Sequence, residues 1–233
     1  MIETQICAGT IAPAMAPPAW VEDTSCPMMS TARRFHNPHT GEAITLLDTA
    51  AETGGELTRM EIRVRPGPGD WVGPDHFHPL QEERFEVQAG SPIFRIDGVE
   101  RPAKPGEVVT VPVGVSHIFR NGGAEELHMI SEYRPGLKSV ETFFATFFGL
   151  AADGRVNRHG RPPLLQSVLT LWEVRDYFVV TRPPRTVQRV LFPLLAFLAR
   201  LRGYKASYPE PGDAGTPTGA GGGAAGPAAP PGS

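Results

Sequence analysis

From Ala43 onward, apolar and polar residues alternate along the chain with a period of two. In LTRMEIRV, Met60, Ile62 and Val64 alternate with Glu61, Arg63 and Arg65, which predicts a strand with one buried face, and ITLL just ahead of it reads the same way. Further short strands are predicted over Asp75 to Pro79, Glu83 to Gln88, Ile93 to Ile96, Val108 to Val111, Ser116 to Arg120 and Leu127 to Tyr133. The segments between them, GPGDWVG, QAGSP, IDGVE, AKPGE, PVG and NGG, carry turn residues. Short strands at this spacing predict a sandwich or a small barrel. After Pro135 the period lengthens to that of a helix: Phe143, Phe144, Phe147, Phe148 and Leu150 form one apolar face, ended by Asp153-Gly154. Four phenylalanines could stack on a cofactor, but packing against the barrel is the expected role. Two more helices are predicted, Leu164 to about Phe178 and Thr186 to Leu201, the second kinked or started late by Pro193.

Composition sets the limits of the packed region. Of the 51 glycines and prolines, 14 fall within residues 209–233, so that stretch is expected to be a disordered tail. Residues 1–30 are rich in Ala, Pro and Met without either period and are expected to form a disordered extension, within which Met28 or Met29 offers an alternative start. Between them, the pattern divides into a β region over 31–135 and a helical region over 136–208. Cys7 and Cys26 have no metal-type spacing, so no disulfide scaffold is expected. The first basic residue is Arg33, too late for a secretory leader, and a cytoplasmic protein is expected.

The net charge of −3 conceals an asymmetry. Residues 154–208 hold ten Lys or Arg against Glu173 and Asp176, or +8, leaving −11 elsewhere. Such a split marks either a solvated basic face or a surface for anions. The run Val190 to Ala199 contains Pro193 and is half the length needed to cross a bilayer, so packing on the barrel is expected rather than a membrane partner, with docking to a membrane surface or a partner through Arg189, Arg200 and Arg202 as a third reading. No nucleic-acid partner is expected.

The chemistry lies in the strand region. His76 and His78 are two apart, so on a strand they share a face while Phe77 points away. Glu83 shares a face with Phe85 and Val87, and His117 with Phe119. Imidazoles and a carboxylate among apolar neighbours are costly unless satisfied, and a divalent metal would satisfy them. His128 is weighed as a base behind the ligands, with a surface or hydrogen-bonded core position the plainer reading. Tyr133, Arg120 and Glu82 read as ordinary strand-edge residues, and His36, His39 and His159 as loop histidines.

Two segments carry a family resemblance. Gly106-EVVTV-Pro112-V-Gly114-VS-His117-IFR-Asn121 matches all five fixed positions of the second cupin motif, and His76, His78, Glu83 and Gly90 fit the first. The leading glycine of the first motif is replaced by Asp70. The chain thus resembles a small single-domain cupin over about residues 43–134. The resemblance implies a mainly β fold, a jelly-roll-like antiparallel barrel of two short sheets (a double-stranded β-helix), followed here by C-terminal α-helices. It also implies one divalent transition metal held by His76, His78, Glu83 and His117, with Fe, Mn, Ni, Cu and Zn all compatible. Phe85, Val87 and Phe119 are then candidates to line the cavity. The implied activities are dioxygenase-like or isomerase-like chemistry on a small organic molecule, with binding of a small ligand without turnover as the alternative. A homodimer is the implied assembly, and no general acid or base is identified.

Overall fold

The computed structural model describes residues 33–66 and 69–207. The extension and tail expected over 1–30 and 209–233 lie outside the described residues.

The alternation produces the expected antiparallel strands. In chain order they are β1 (Arg34–Asn37), β2 (Glu42–Asp48), β3 (Thr58–Val64), β4 (His76–Phe77), β5 (Glu82–Ala89), β6 (Pro92–Ile96), β7 (Val99–Pro102), β8 (Val108–Val111), β9 (His117–Asn121) and β10 (Leu127–Arg134). Then come α1 (Lys138–Ala152), α2 (Leu164–Glu173), β11 (Val179–Val180) and α3 (Arg185–Leu201). One sheet runs β1-β2-β3-β10-β5-β8 and the other β11-β4-β9-β6-β7. Met60, Ile62, Phe85, Val87 and Met129 from the first sheet meet Phe94 and Phe119 from the second in one core. This is the cupin-type barrel followed by helices. The odd positions of β3, Leu127, Met129, Ser131 and Tyr133 of β10, and Glu83, Phe85 and Val87 of β5 are buried or partly buried on the inner face, as a pleated strand requires.

Three strands escape the sequence pattern. β1 and β7 are short, and β7 is exposed at every position, so neither shows a long apolar alternation. β7 forms because Asp97 and Gly98, with φ of 49° and 80°, turn the chain after Ile96 and bring Val99 opposite it. β11 follows the second expected helix, which stops at Glu173 rather than near Phe178. The chain leaves the helix there because Val179 and Val180 pair with Phe77 and His76, satisfying the open edge of β4.

The phenylalanine face of α1 packs as expected: Phe144 and Phe148 join the core, while Phe143 and Phe147 are partly buried against it. α3 spans the expected residues to within one position, beginning at Arg185, well ahead of Pro193, so the proline does not delay it. Its Gln188, Phe192, Ala196 and Ala199 are buried, but its apolar run is not buried as a whole, because Leu194 and Phe197 are each 59% exposed.

Candidate metal centre

Two strand pairs and one turn assemble the site. His76 on β4 lies opposite His117 on β9, which brings their rings to 4.4 Å between centroids. His78 follows the end of β4, and the backbone N–H of Gly114 donates to its carbonyl at 2.8 Å. The Pro112-to-Gly114 turn of one segment thus fixes a histidine of the other. Glu83 arrives from β5 and is buried, as are His78 and His117, while His76 is partly exposed. One ligand atom from each of the four lies within 4.8 Å of the others.

The remaining motif positions are structural. Gly90 has a φ of 85°, and a Cβ there would sit 2.8 Å from Glu126 O and Leu127 Cα. Only glycine fits that turn after β5. Asn121 donates to the carbonyls of Arg65 and Glu125 and accepts from the N–H of Gly123, closing the turn into β10.

The hydrogen bonds define which nitrogen of each ring faces the centre. Nδ1 of His76, His78 and His117 lies 2.9, 2.7 and 3.2 Å from the carbonyl oxygens of Pro74, Tyr177 and Val115. A carbonyl only accepts, so each Nδ1 carries a hydrogen and each neutral ring keeps its lone pair on Nε2. For His78 and His117 that lone pair meets Glu83 Oε2, itself an acceptor, at 2.9 and 2.8 Å. Acceptor facing acceptor requires a cation: a second proton on each ring, or one ion among neutral rings. The latter needs no adjacent imidazolium charges, and imidazole nitrogens with one carboxylate suit a divalent transition metal.

Electrostatics follow the same contacts. Burial disfavours a charged Glu83, but hydrogen bonds and charge from His117 and His78 overcome it and hold the carboxyl well below its usual range. Burial also disfavours a charged His117, and the bond to Glu83 reverses this, raising its pKa. His76 is held well below its ordinary value by lost hydration and then by the neighbouring His117 and His78.

Residues beyond the expected set complete the surroundings. Ser131 donates to Glu83 Oε1 at 2.8 Å. Tyr133 lies opposite Glu83 in the β5–β10 ladder, with its hydroxyl in reach of Glu83 and Ser131, so it is not an ordinary strand-edge residue. Tyr177 donates from its own hydroxyl to that of Tyr133 at 3.2 Å and stacks on His78, with centroids 4.8 Å apart. Phe178 stacks on His76 at 4.0 Å and on Phe143 at 4.6 Å. In sequence, Tyr133 carried one usable signal, since it shares inward parity with Met129 and Ser131; Tyr177 and Phe178 carried none.

His128 does not reach the centre. It points to the outer face, where its Nε2 lies 2.8 Å from Glu61 Oε1, because its parity on β10 is opposite to that of Ser131. Arg120 and Glu82 lie outside the cluster, with Arg120 over the Trp71 ring. Phe85, Val87 and Phe119 are buried, and Phe85 and Phe119 pack on each other and on Phe94. Two surface cavities, of about 390 and 500 Å³, are lined by other residues and include none of the four clustered side chains.

The fold and site together define a small two-sheet β-barrel protein with a cluster of three histidines and a glutamate, all but His76 buried. The Cupin domain family matches residues 62–133. Protein SchB of Streptomyces halstedii is 32% identical over 99 residues, covering 40% of this chain and 68% of SchB. Polyketide synthase CurC of Streptomyces cyaneus is 32% identical over 97 residues, covering 41% of this chain and 60% of CurC. A sugar phosphate isomerase from Silicibacter pomeroyi is a structural neighbour at 21% identity, with a TM-score of 0.38, covering 45% of this chain and 71% of its own. The chain belongs to the cupin superfamily and is similar to its small cupin-2-like members.

Proposed function

We propose that the protein is a metal-dependent cupin enzyme acting on a small organic molecule, with His76, His78, Glu83 and His117 holding one divalent transition ion. The observation that carries this reading is the anchoring of all three Nδ1 atoms to backbone carbonyls, which leaves three Nε2 lone pairs, two of them meeting the Glu83 carboxylate, within one four-residue cluster. Bound there, such an ion would supply a Lewis acid able to polarise a carbonyl or enol oxygen.

The chain's own residues do the rest. Ser131 orients Glu83, while Tyr133 and Tyr177 offer protonated hydroxyls beside it. Burial, followed by the negative charge of Glu83, raises both phenols well above their ordinary value, so at neutral pH both stay protonated and keep a hydrogen to share in a hydrogen bond. Phe178 and Phe143 exclude water from the side of His76. The barrel over 31–135 thus supplies the ligands, and the helical region over 136–208 covers them. The name of CurC supports a polyketide-type substrate, and isomerase-like or dioxygenase-like turnover is the proposed chemistry. A homodimer formed through strand edges and a cytoplasmic location complete the proposal.

One observation favours the alternative, a cupin that binds a small ligand without turnover. Phe178 and Tyr177 stack directly on two of the clustered rings and cover the approach from that side. Elemental analysis of protein purified without added metal, followed by assay of polyketide-type aromatic substrates with the loaded protein, separates the readings. Metal-dependent product formation supports the enzyme. Saturable binding with no product in the presence of each candidate metal refutes it in favour of the binder.

A further inference from the structure

Residues Val190, Leu191, Leu194, Phe197, Leu198 and Leu201 of α3 are between 41% and 69% exposed. At 3.6 residues per turn they fall within an arc of about 120°. That arc lies opposite the face carrying Gln188, Phe192, Ala196 and Ala199, which is buried. The helix is held firmly on its buried side: Gln188 donates to the carbonyls of Val180 and Pro183 at 2.7 and 2.6 Å, and Ala196 and Ala199 pack on Leu169 of α2. Burial therefore explains one face of α3 and leaves an apolar second face turned outward. With Val187, 42% exposed in the same arc, seven exposed large apolar side chains on one helix form a patch that calls for a partner.

The charges around the patch identify that partner. No charged residue falls within the apolar arc; Arg202 lies about 20° beyond one edge, and Arg200 and Arg189 lie about 60° and 80° beyond the other. Across residues 182–205 there are six Lys or Arg and no Asp or Glu. A second copy docking by two-fold symmetry would bring these arginines towards their own counterparts; among the described residues Arg200 pairs with Glu173 at 3.1 Å. An anionic lipid surface instead places headgroups against the arginines and acyl chains against the arc. No helix among the described residues is long and apolar enough to cross a membrane. We infer that α3 is an interfacial helix, lying in the plane of an anionic lipid surface with Leu194 and Phe197 directed into it. The inference stands whether or not the histidine cluster turns over a substrate.

Vesicle cosedimentation of the full chain tests this, using phosphatidylcholine vesicles with and without phosphatidylglycerol. The expected result is binding to the anionic vesicles at low salt, weakening as salt rises, with little binding to phosphatidylcholine alone. Leu194→Gln/Phe197→Gln should abolish binding, and Arg189→Gln/Arg202→Gln should lower it on the order of thirtyfold. All four positions are exposed, so both variants should keep the parent melting transition. The arginine variant retains the whole apolar face and keeps the test valid if the other fails to fold. Absence of binding to anionic vesicles at low salt would overturn the inference. So would a dimer that Leu194→Gln/Phe197→Gln converts to monomer, which would show that a second copy covers the face.

Discussion

The carbonyl of Tyr177 accepts the Nδ1 hydrogen of His78 at 2.7 Å across 99 positions of sequence. The barrel supplies the ring, but the segment after α2 fixes its tautomer and rotation, and Tyr177 then stacks on it. A cluster assembled by two local segments is thus completed by a third.

The purified protein should carry close to one transition metal ion per chain by elemental analysis. His76→Ala, His78→Ala and His117→Ala should each abolish this, and chelation should lower the melting temperature of the parent, because binding to the native state alone adds to its stability. Full occupancy in a His76→Ala/His78→Ala protein would contradict the assignment.

Ser131 is fully buried, and its hydroxyl bonds Glu83 Oε1. Ser131→Ala should therefore cost about 1–3 kcal/mol of stability. Metal affinity should fall on the order of tenfold to a hundredfold, since the carboxylate loses its orienting donor. Competition with a chromogenic chelator reads the affinity and thermal melts read the stability; an unchanged affinity would show that Glu83 is oriented by its other contacts.

Gly90 adopts a φ of 85° with no room for a Cβ beside Leu127. Gly90→Ala should destabilise the fold by about 1–3 kcal/mol through the backbone conformation, and by more if the β5 and β10 strands must part. Denaturant unfolding checks this, and a change under about 0.5 kcal/mol, the range of ordinary surface substitutions, would contradict it.

Tyr133 and Tyr177 both have folded-state pKa values raised well above 10.0, by burial and then by the charge of Glu83. A raised pKa gives stability that is fully present below the unfolded value and lost as pH rises through the folded one. Stability should thus decline above about pH 10, as the unfolded chain releases these protons first. Ultraviolet titration should find two of the four tyrosines resistant until the protein unfolds. Tyr133→Phe with Tyr177→Phe should remove the resistant class. Four phenols ionising together near their ordinary value would show the pair to be open to water.

Sequence alone carried the barrel and the grouping of three histidines with a glutamate, because both depend on short-range rules. A pleated strand sends alternate side chains to one face, so the parity of Met60, Ile62 and Val64 marked the core. The spacing of His76, His78 and Glu83, together with the Pro112-to-His117 turn, marked the cluster. Other features depended on contacts between distant segments. β11 exists because β4 has an open edge to satisfy, and Tyr177 and Phe178 reach the histidines only because α2 ends early enough to let them. His128 and Tyr133 lie on the same strand, yet their opposite parity sends one to Glu61 and the other to Glu83. α3 has the periodicity of a core helix with apolar residues on both sides. Which side is covered was decided by the packing of Gln188, Phe192 and Ala196, since hydrophobic periodicity records that a face avoids water but not what covers it.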